Sequence, residues 1–112
     1  MKSYQLGEFE EIVLLTVAVL FDDAYGVTIK KGIESQTGRG VSVGALQSAL
    51  RRMESKGYLQ SEFGEPTKER GGKRKRYFRI TPLGKKALEY AKDIRLNLWN
   101  AIPNQAFEFG RS

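Results

Sequence analysis

The side chains of this chain best suited to chemistry are cations and amides, and they gather in its middle third. Between Ser42 and Lys56 stand Gln47, Ser48, Arg51 and Arg52; further on, Lys68, Arg70, Lys73, Arg74, Lys75 and Arg76 surround Gly71 and Gly72. Gln can pair bidentately with adenine, and Arg with guanine or with a phosphate. Catalysis has less to work with. The 112 residues include no His and no Cys, which removes the commonest general base, the commonest metal ligand and any thiol nucleophile. The remaining carboxylates, lysines, tyrosines and serines form no motif, so no catalytic residue, metal site or cofactor is expected. Residues 1–40 carry four Lys/Arg against six Asp/Glu, residues 41–81 ten against four, and residues 82–112 five against three. The excess of cations is therefore local, where a polyanion could meet it. A solvated basic loop is the plain alternative.

Hydrophobic periodicity supplies the elements that must hold these groups. Glu8 to Phe21 is acidic at its start, nearly continuously apolar after Glu11 and free of Gly and Pro, which predicts a buried helix. Asp22 and Asp23 end it and are placed to cap the next helix, an amphipathic run from Tyr25 to Thr37 closed by Gly38. Ser42 is a good N-cap for a third helix from Val43 to Lys56, with Gly57 as its stop. The period then changes to two. Leu59, Ser61 and Phe63 alternate with polar neighbours, Gly64 to Gly72 reads as a turn, and Arg76 to Ile80 alternates again, so a β-hairpin is expected. Thr81 and Pro82 open a fourth helix running to about Trp99, with one apolar stripe of Leu83, Ala87, Ala91, Ile94 and Leu98. Residues after Pro103 have no period and read as a flexible tail.

Three helices, a hairpin and a long last helix make up a winged helix-turn-helix. The fold class expected is α+β, mainly α: a winged helix-turn-helix with an additional C-terminal dimerisation helix. It divides into a DNA-binding domain at 1–81, a helix at 82–102 and a tail at 103–112. In the third helix, Leu46, Ala49, Leu50 and Met53 form the core side. The other side presents Gly44, Gln47, Ser48, Arg51, Arg52 and Ser55 without an acid, and small residues at its start let the backbone approach phosphate. Ser42, Gly44, Gln47, Ser48, Arg51 and Arg52 are therefore the candidate DNA-contacting residues of this helix. In the hairpin they are Arg70, Gly71, Gly72, Lys73, Arg74, Lys75 and Arg76, because repelling cations and glycines cost stability unless a negative partner compensates. Double-stranded DNA is the expected partner. A winged helix serving only as a protein–protein module is the rival, and an acid-free third helix beside a basic wing argues against it.

Over roughly residues 5 to 100 the chain resembles the PadR family of transcriptional regulators. The resemblance rests on an ordered set: Leu6-Gly7-Glu8-Phe9, Tyr25-Gly26, Thr37-Gly38, Ser42-Val43-Gly44-Ala45-Leu46, Glu54-Ser55-Lys56-Gly57-Tyr58-Leu59, Gly64-Glu65-Pro66, Gly71-Gly72-Lys73-Arg74 and Tyr77-Phe78-Arg79-Ile80-Thr81-Pro82-Leu83-Gly84. Many members carry Thr and Tyr where this chain has Ala45 and Gln47, which bears on base reading rather than on docking. The resemblance implies a homodimer built with the first and last helices, and usually repression. Leu6, Phe9, Ile94, Leu98 and Trp99 are the corresponding dimerisation candidates. It also implies that a small hydrophobic effector could sit between two final helices. Trp99 lies about a turn late for that role and reads first as a packing aromatic. The start of the chain lacks the pattern of a secretion signal, and Ile12 to Phe21 is too short to span a bilayer, so a cytoplasmic, non-membrane protein is expected.

Overall fold

The computed structural model describes residues 5–66 and 74–108. Helix α1 spans Glu8–Leu20, followed by a 3-10 turn at Phe21–Asp23, α2 at Gly26–Thr37 and α3 at Val43–Ser55. Strands β1 (Leu59–Pro66) and β2 (Arg74–Ile80) pair antiparallel, α4 covers Pro82–Ala101, and a 3-10 turn closes the described chain at Asn104–Phe107.

Val13, Leu14 and Val17 of α1 meet Ile29 and Ile33 of α2 and Leu46, Ala49, Leu50 and Met53 of α3, and all of them are buried. These sets repeat at helical spacing, so each helix gives one stripe to a common core. Tyr58, Leu59 and Phe78 bring the base of the hairpin onto it, and Ala87 adds the start of α4. The Phe78 amide also donates to the Ala24 carbonyl, fastening β2 to the α1–α2 corner.

The helix ends show where sequence expectation holds and where it needs correction. The Ser42 hydroxyl accepts from the Ala45 amide at 3.0 Å, as an N-cap should, and Gly38 closes α2 in the left-handed region at φ 72°. The side chains of Asp22 and Asp23 do not cap α2. Thr28 does that work: its hydroxyl accepts from the Tyr25 amide at 3.0 Å and donates to the Asp23 carbonyl. A hydroxyl one turn in can reach back to the N-cap amide, whereas Asp22 and Asp23 are taken into the 3-10 turn. The hairpin is longer than alternation alone indicates, because β1 continues through Gly64 and Glu65 to Pro66 and β2 begins at Arg74. An irregularity between Phe63 and Pro66 absorbs the change of register. In the described part of the tail, the 3-10 turn brings the Phe107 ring centroid to 6.2 Å from that of Trp99.

Helix α1 also departs from the reading of a helix buried all round. One side is core, but Leu15 is 47% and Val19 82% exposed. Helix α4 behaves similarly. Past Leu88 it leaves its own core, with Ile94, Leu96, Leu98 and Trp99 all exposed. The Cα radius of gyration is 17.5 Å, against ~13 Å for a compact chain of this size.

Thr81 and Gly84 set the departure angle of α4. The Thr81 hydroxyl donates to the Gly57 carbonyl at 2.6 Å and accepts from the Gly84 amide at 3.0 Å. A Cβ on Gly84 would lie 2.3 Å from the Tyr58 carbonyl oxygen and 2.8 Å from Ile80 Cγ1. Backbone cannot yield as a flexible side chain can. Gly84→Ala is therefore expected to destabilise the fold by roughly 1–3 kcal/mol through overpacking, seen as a lowered denaturation midpoint. An unchanged midpoint would show that the junction is slack.

Candidate nucleic-acid interface

The exposed side of α3 follows from its core side. With Leu46, Ala49, Leu50 and Met53 turned inward, Gly44, Gln47 and Arg51 turn to solvent, with Ser48 partly covered. Nothing lies within 4 Å of a Cβ placed on Gly44, so the first turn is open to close approach. Arg51 has no hydrogen bond or ion pair among the described residues. Ser42 lies at the same end, but its hydroxyl is engaged in the cap.

Strand β2 runs beside this face. Gln47, Arg74 and Lys75 line one groove of ≈310 Å³ with Tyr25, Gly26 and Val27 from the start of α2. Gly26 has a local reason to be small: a Cβ there would come within 3.5 Å of Gln47 Nε2. Tyr25 was not singled out as a site residue by sequence reasoning, yet the Lys75 ammonium lies 4.4 Å from its ring centroid and Tyr77 meets it edge-on at 5.5 Å. A cation over an aromatic face is held by the ring quadrupole, so Tyr25 fixes where Lys75 stands. The Tyr25-Gly26 pair was the available signal, and it is uninterpretable until β2 is placed beside it.

Arg76 lines the same groove and is tied down within the chain as well. It forms an ion pair with Glu54 at 3.2 Å, and its Nε donates to the Ser61 hydroxyl at 2.9 Å. It also stacks near Phe63, at 5.4 Å. Arg76, expected among the DNA-contacting wing residues, also ties the hairpin to the end of α3. The cause is the register, which puts Arg76 opposite Phe63, two residues along from Ser61. Arg70, Gly71, Gly72 and Lys73, also expected at the wing, lie outside the described residues. Of the wing cations described, Arg74 and Lys75 have no acidic partner among the described residues.

Arg52 has a partner as well. Its Nε donates to Glu10 Oε2 at 2.8 Å, and Lys56 approaches Glu10 Oε1 at 3.4 Å. Burial pushes the Glu10 carboxyl up, but Arg52, the Gly7 amide and Lys56 outweigh it and hold the group below the ordinary glutamate value.

The dimerisation candidates divide. Leu6 and Phe9 pack partly against the chain's own core, whereas Ile94, Leu98 and Trp99 face outward. Arg95 pairs with Glu11 at 2.6 Å and separates two grooves along α4. One, of ≈470 Å³, is walled by Leu15, Leu88, Leu96 and Trp99; the other, of ≈800 Å³, by Leu6, Tyr90, Ala91, Ile94 and Leu98. Leu15 and Leu96 are exposed apolar residues that the single stripe on α4 did not reveal. Among the described residues no helix is long and apolar enough to cross a membrane.

The family model described as transcriptional regulator PadR-like matches residues 14–90. No curated protein matches the chain significantly. Among solved structures, a transcriptional regulator from Clostridium thermocellum is 33% identical, with a TM-score of 0.63 over 79% of this chain and 83% of its own. A PadR family transcription regulator from Clostridium difficile R20291 is 26% identical, with a TM-score of 0.65 over 82% of this chain and 92% of its own. A PadR-like transcriptional regulator from Bacillus cereus shares the fold at 19% identity, with a TM-score of 0.70 over 88% and 91% of the two chains. With the family model matched over residues 14–90 and a 33% identical regulator covered over most of both chains, the chain belongs to the PadR-like family of transcriptional regulators.

Proposed function

We propose that this regulator is a homodimeric repressor that reads an inverted-repeat operator, with α3 in the major groove and the hairpin on the flanking phosphates. The observation that carries this reading is the shared groove of Gln47, Arg74 and Lys75 beside an exposed Arg51 that has no partner among the described residues. Base-reading and phosphate-binding groups thereby lie on one side of the molecule, as a winged helix docked on duplex DNA requires. Membership of the family makes the chain a regulator and not an enzyme.

Ser42 and Gly44 would let the first turn of α3 approach the backbone, Gln47, Ser48 and Arg51 would reach base edges, and Arg74 and Lys75 would hold phosphates. A pair of α4 helices, one from each copy, would cover Ile94, Leu98 and Trp99. The groove beside Trp99 is of a volume that small ligands fill, so a flat hydrophobic effector is proposed to stack there between the two copies.

The test is specificity. Gln47→Ala is expected to cost roughly 1–3 kcal/mol on the site selected from a random pool, and much less on random duplex. Binding isotherms on both sequences decide it. Equal losses would make Gln47 a phosphate-positioning residue, and failure to select any sequence would remove the operator reading.

A further inference from the structure

Among the described residues Glu10 is the one buried charged side chain, and it lies behind the DNA-facing helix rather than on it. It sits in the first turn of α1, where its Oε1 accepts from the Gly7 amide at 3.1 Å. Its other contacts reach across to α3. Arg52 and Lys56 are four residues apart, so both side chains leave the same side of that helix, and both meet Glu10.

The contact with Arg52 is one-pointed. Only Nε donates, at 2.8 Å, and the Nη atoms have no hydrogen-bond partner among the described residues. The Arg52 side chain remains 53% exposed while that of Glu10 is 11% exposed. The outer edge of the guanidinium is therefore free, and that edge grips two oxygens of a phosphate side by side. In front of it, Ser48, Arg51, Arg52, Ser55 and Lys56 line an open groove of ≈590 Å³. That lining is hydroxyls and cations, with no acid.

We propose that this groove is a seat for one phosphate of the DNA backbone, and that Glu10 is the positioning residue that aims Arg52 into it from behind, while Lys56 is held between Glu10 and the Gln5 carbonyl. The proposal rests on the DNA-binding reading and adds a phosphate site on α3 separate from the wing. A long cation fixed in advance loses less freedom on binding than one recruited from solvent. Glu10 lowers the net charge of the seat, and its benefit is the orientation it imposes.

The experiment measures the affinity of the full chain for random duplex DNA across a salt series, for wild type, Glu10→Gln, Arg52→Ala, the double variant and Arg52→Lys. Wild type should show a steep fall of log affinity with log salt. Glu10→Gln should flatten that slope by about one unit per seat. The double variant should be no flatter than Arg52→Ala, since both act through one contact. Arg52→Lys keeps the charge but has no planar fork that turns one edge to Glu10 and the other to two phosphate oxygens, so it should also lose about one unit per seat. An unchanged slope in Glu10→Gln, or losses that add in the double variant, would overturn the proposal. So would tighter binding with a steeper slope, which would mean that Glu10 withholds these cations from DNA. If Glu10→Gln fails to fold by circular dichroism, Arg52→Lys decides, and a full wild-type slope there overturns it. Wild type that does not bind duplex would defeat the DNA reading itself.

Discussion

Leu98→Glu is expected to convert an assembled protein to monomers at micromolar concentration and to remove most of its affinity for an operator. Ile94 is 44%, Leu96 49%, Leu98 66% and Trp99 65% exposed, and Leu15 and Val19 extend the same apolar surface across α1. So many large apolar side chains in water are costly at ~25 cal/mol per Å², and the described residues of one copy leave them exposed. A second copy does, because a two-fold axis matches each patch with itself. A carboxylate at Leu98 must then either be buried beside its symmetry mate or break the contact. The effect on DNA follows from linkage. Two third helices held about one helical turn apart, ~34 Å, engage both halves of an inverted repeat. A monomer loses that second engagement, which is worth roughly 10²–10⁴ in affinity. Equilibrium sedimentation checks the assembly and operator binding checks the consequence. A wild-type monomer, or a dimer indifferent to Leu98→Glu, would defeat the proposal.

The double substitution Arg74→Ala with Lys75→Ala should weaken binding to every sequence alike. Arg74 is exposed where β2 begins, and Lys75 is held over the Tyr25 ring beside the open face of α3. Neither has an acidic partner among the described residues. If each neutralises one phosphate per protomer, a dimer loses four contacts, and the salt slope should fall by about 0.9 per contact. The ratio of operator to random-duplex affinity should hardly change, since phosphate carries no base information. A steep slope retained by the variant would remove these residues from the interface. A collapse of the ratio would place one of them on a base edge.

Arg76 shows that packing can give one member of a basic run a structural attachment that the run does not reveal. Six cations between Lys68 and Arg76 look equivalent as text. Pairing β1 with β2 brings Arg76 opposite Phe63 and within reach of Glu54 and Ser61, and it becomes a brace. Arg52 differs again, because Glu10 stands 42 positions away along the chain and meets it only when α1 packs on α3.

Local chemistry was readable without any fold. The stop at Gly38, the cap at Ser42, the Thr81-Pro82 start and the core stripe of α3 each depend on neighbours within a turn, so period and residue type suffice. The same applies to the winged helix parts list and to Gln47 and Arg51 as outward-facing groups. Other features needed the chain to close on itself. Tyr25 acquires Lys75 from a strand 50 positions later, Arg76 is brought to Glu54 by its register, and Glu10 is buried by a helix it could not anticipate. The two apolar sides of α4, divided by the Arg95–Glu11 pair, were likewise concealed behind a single stripe. An ion pair or a stacked ring is set by distances of a few ångströms between segments far apart in sequence, and only tertiary packing determines those.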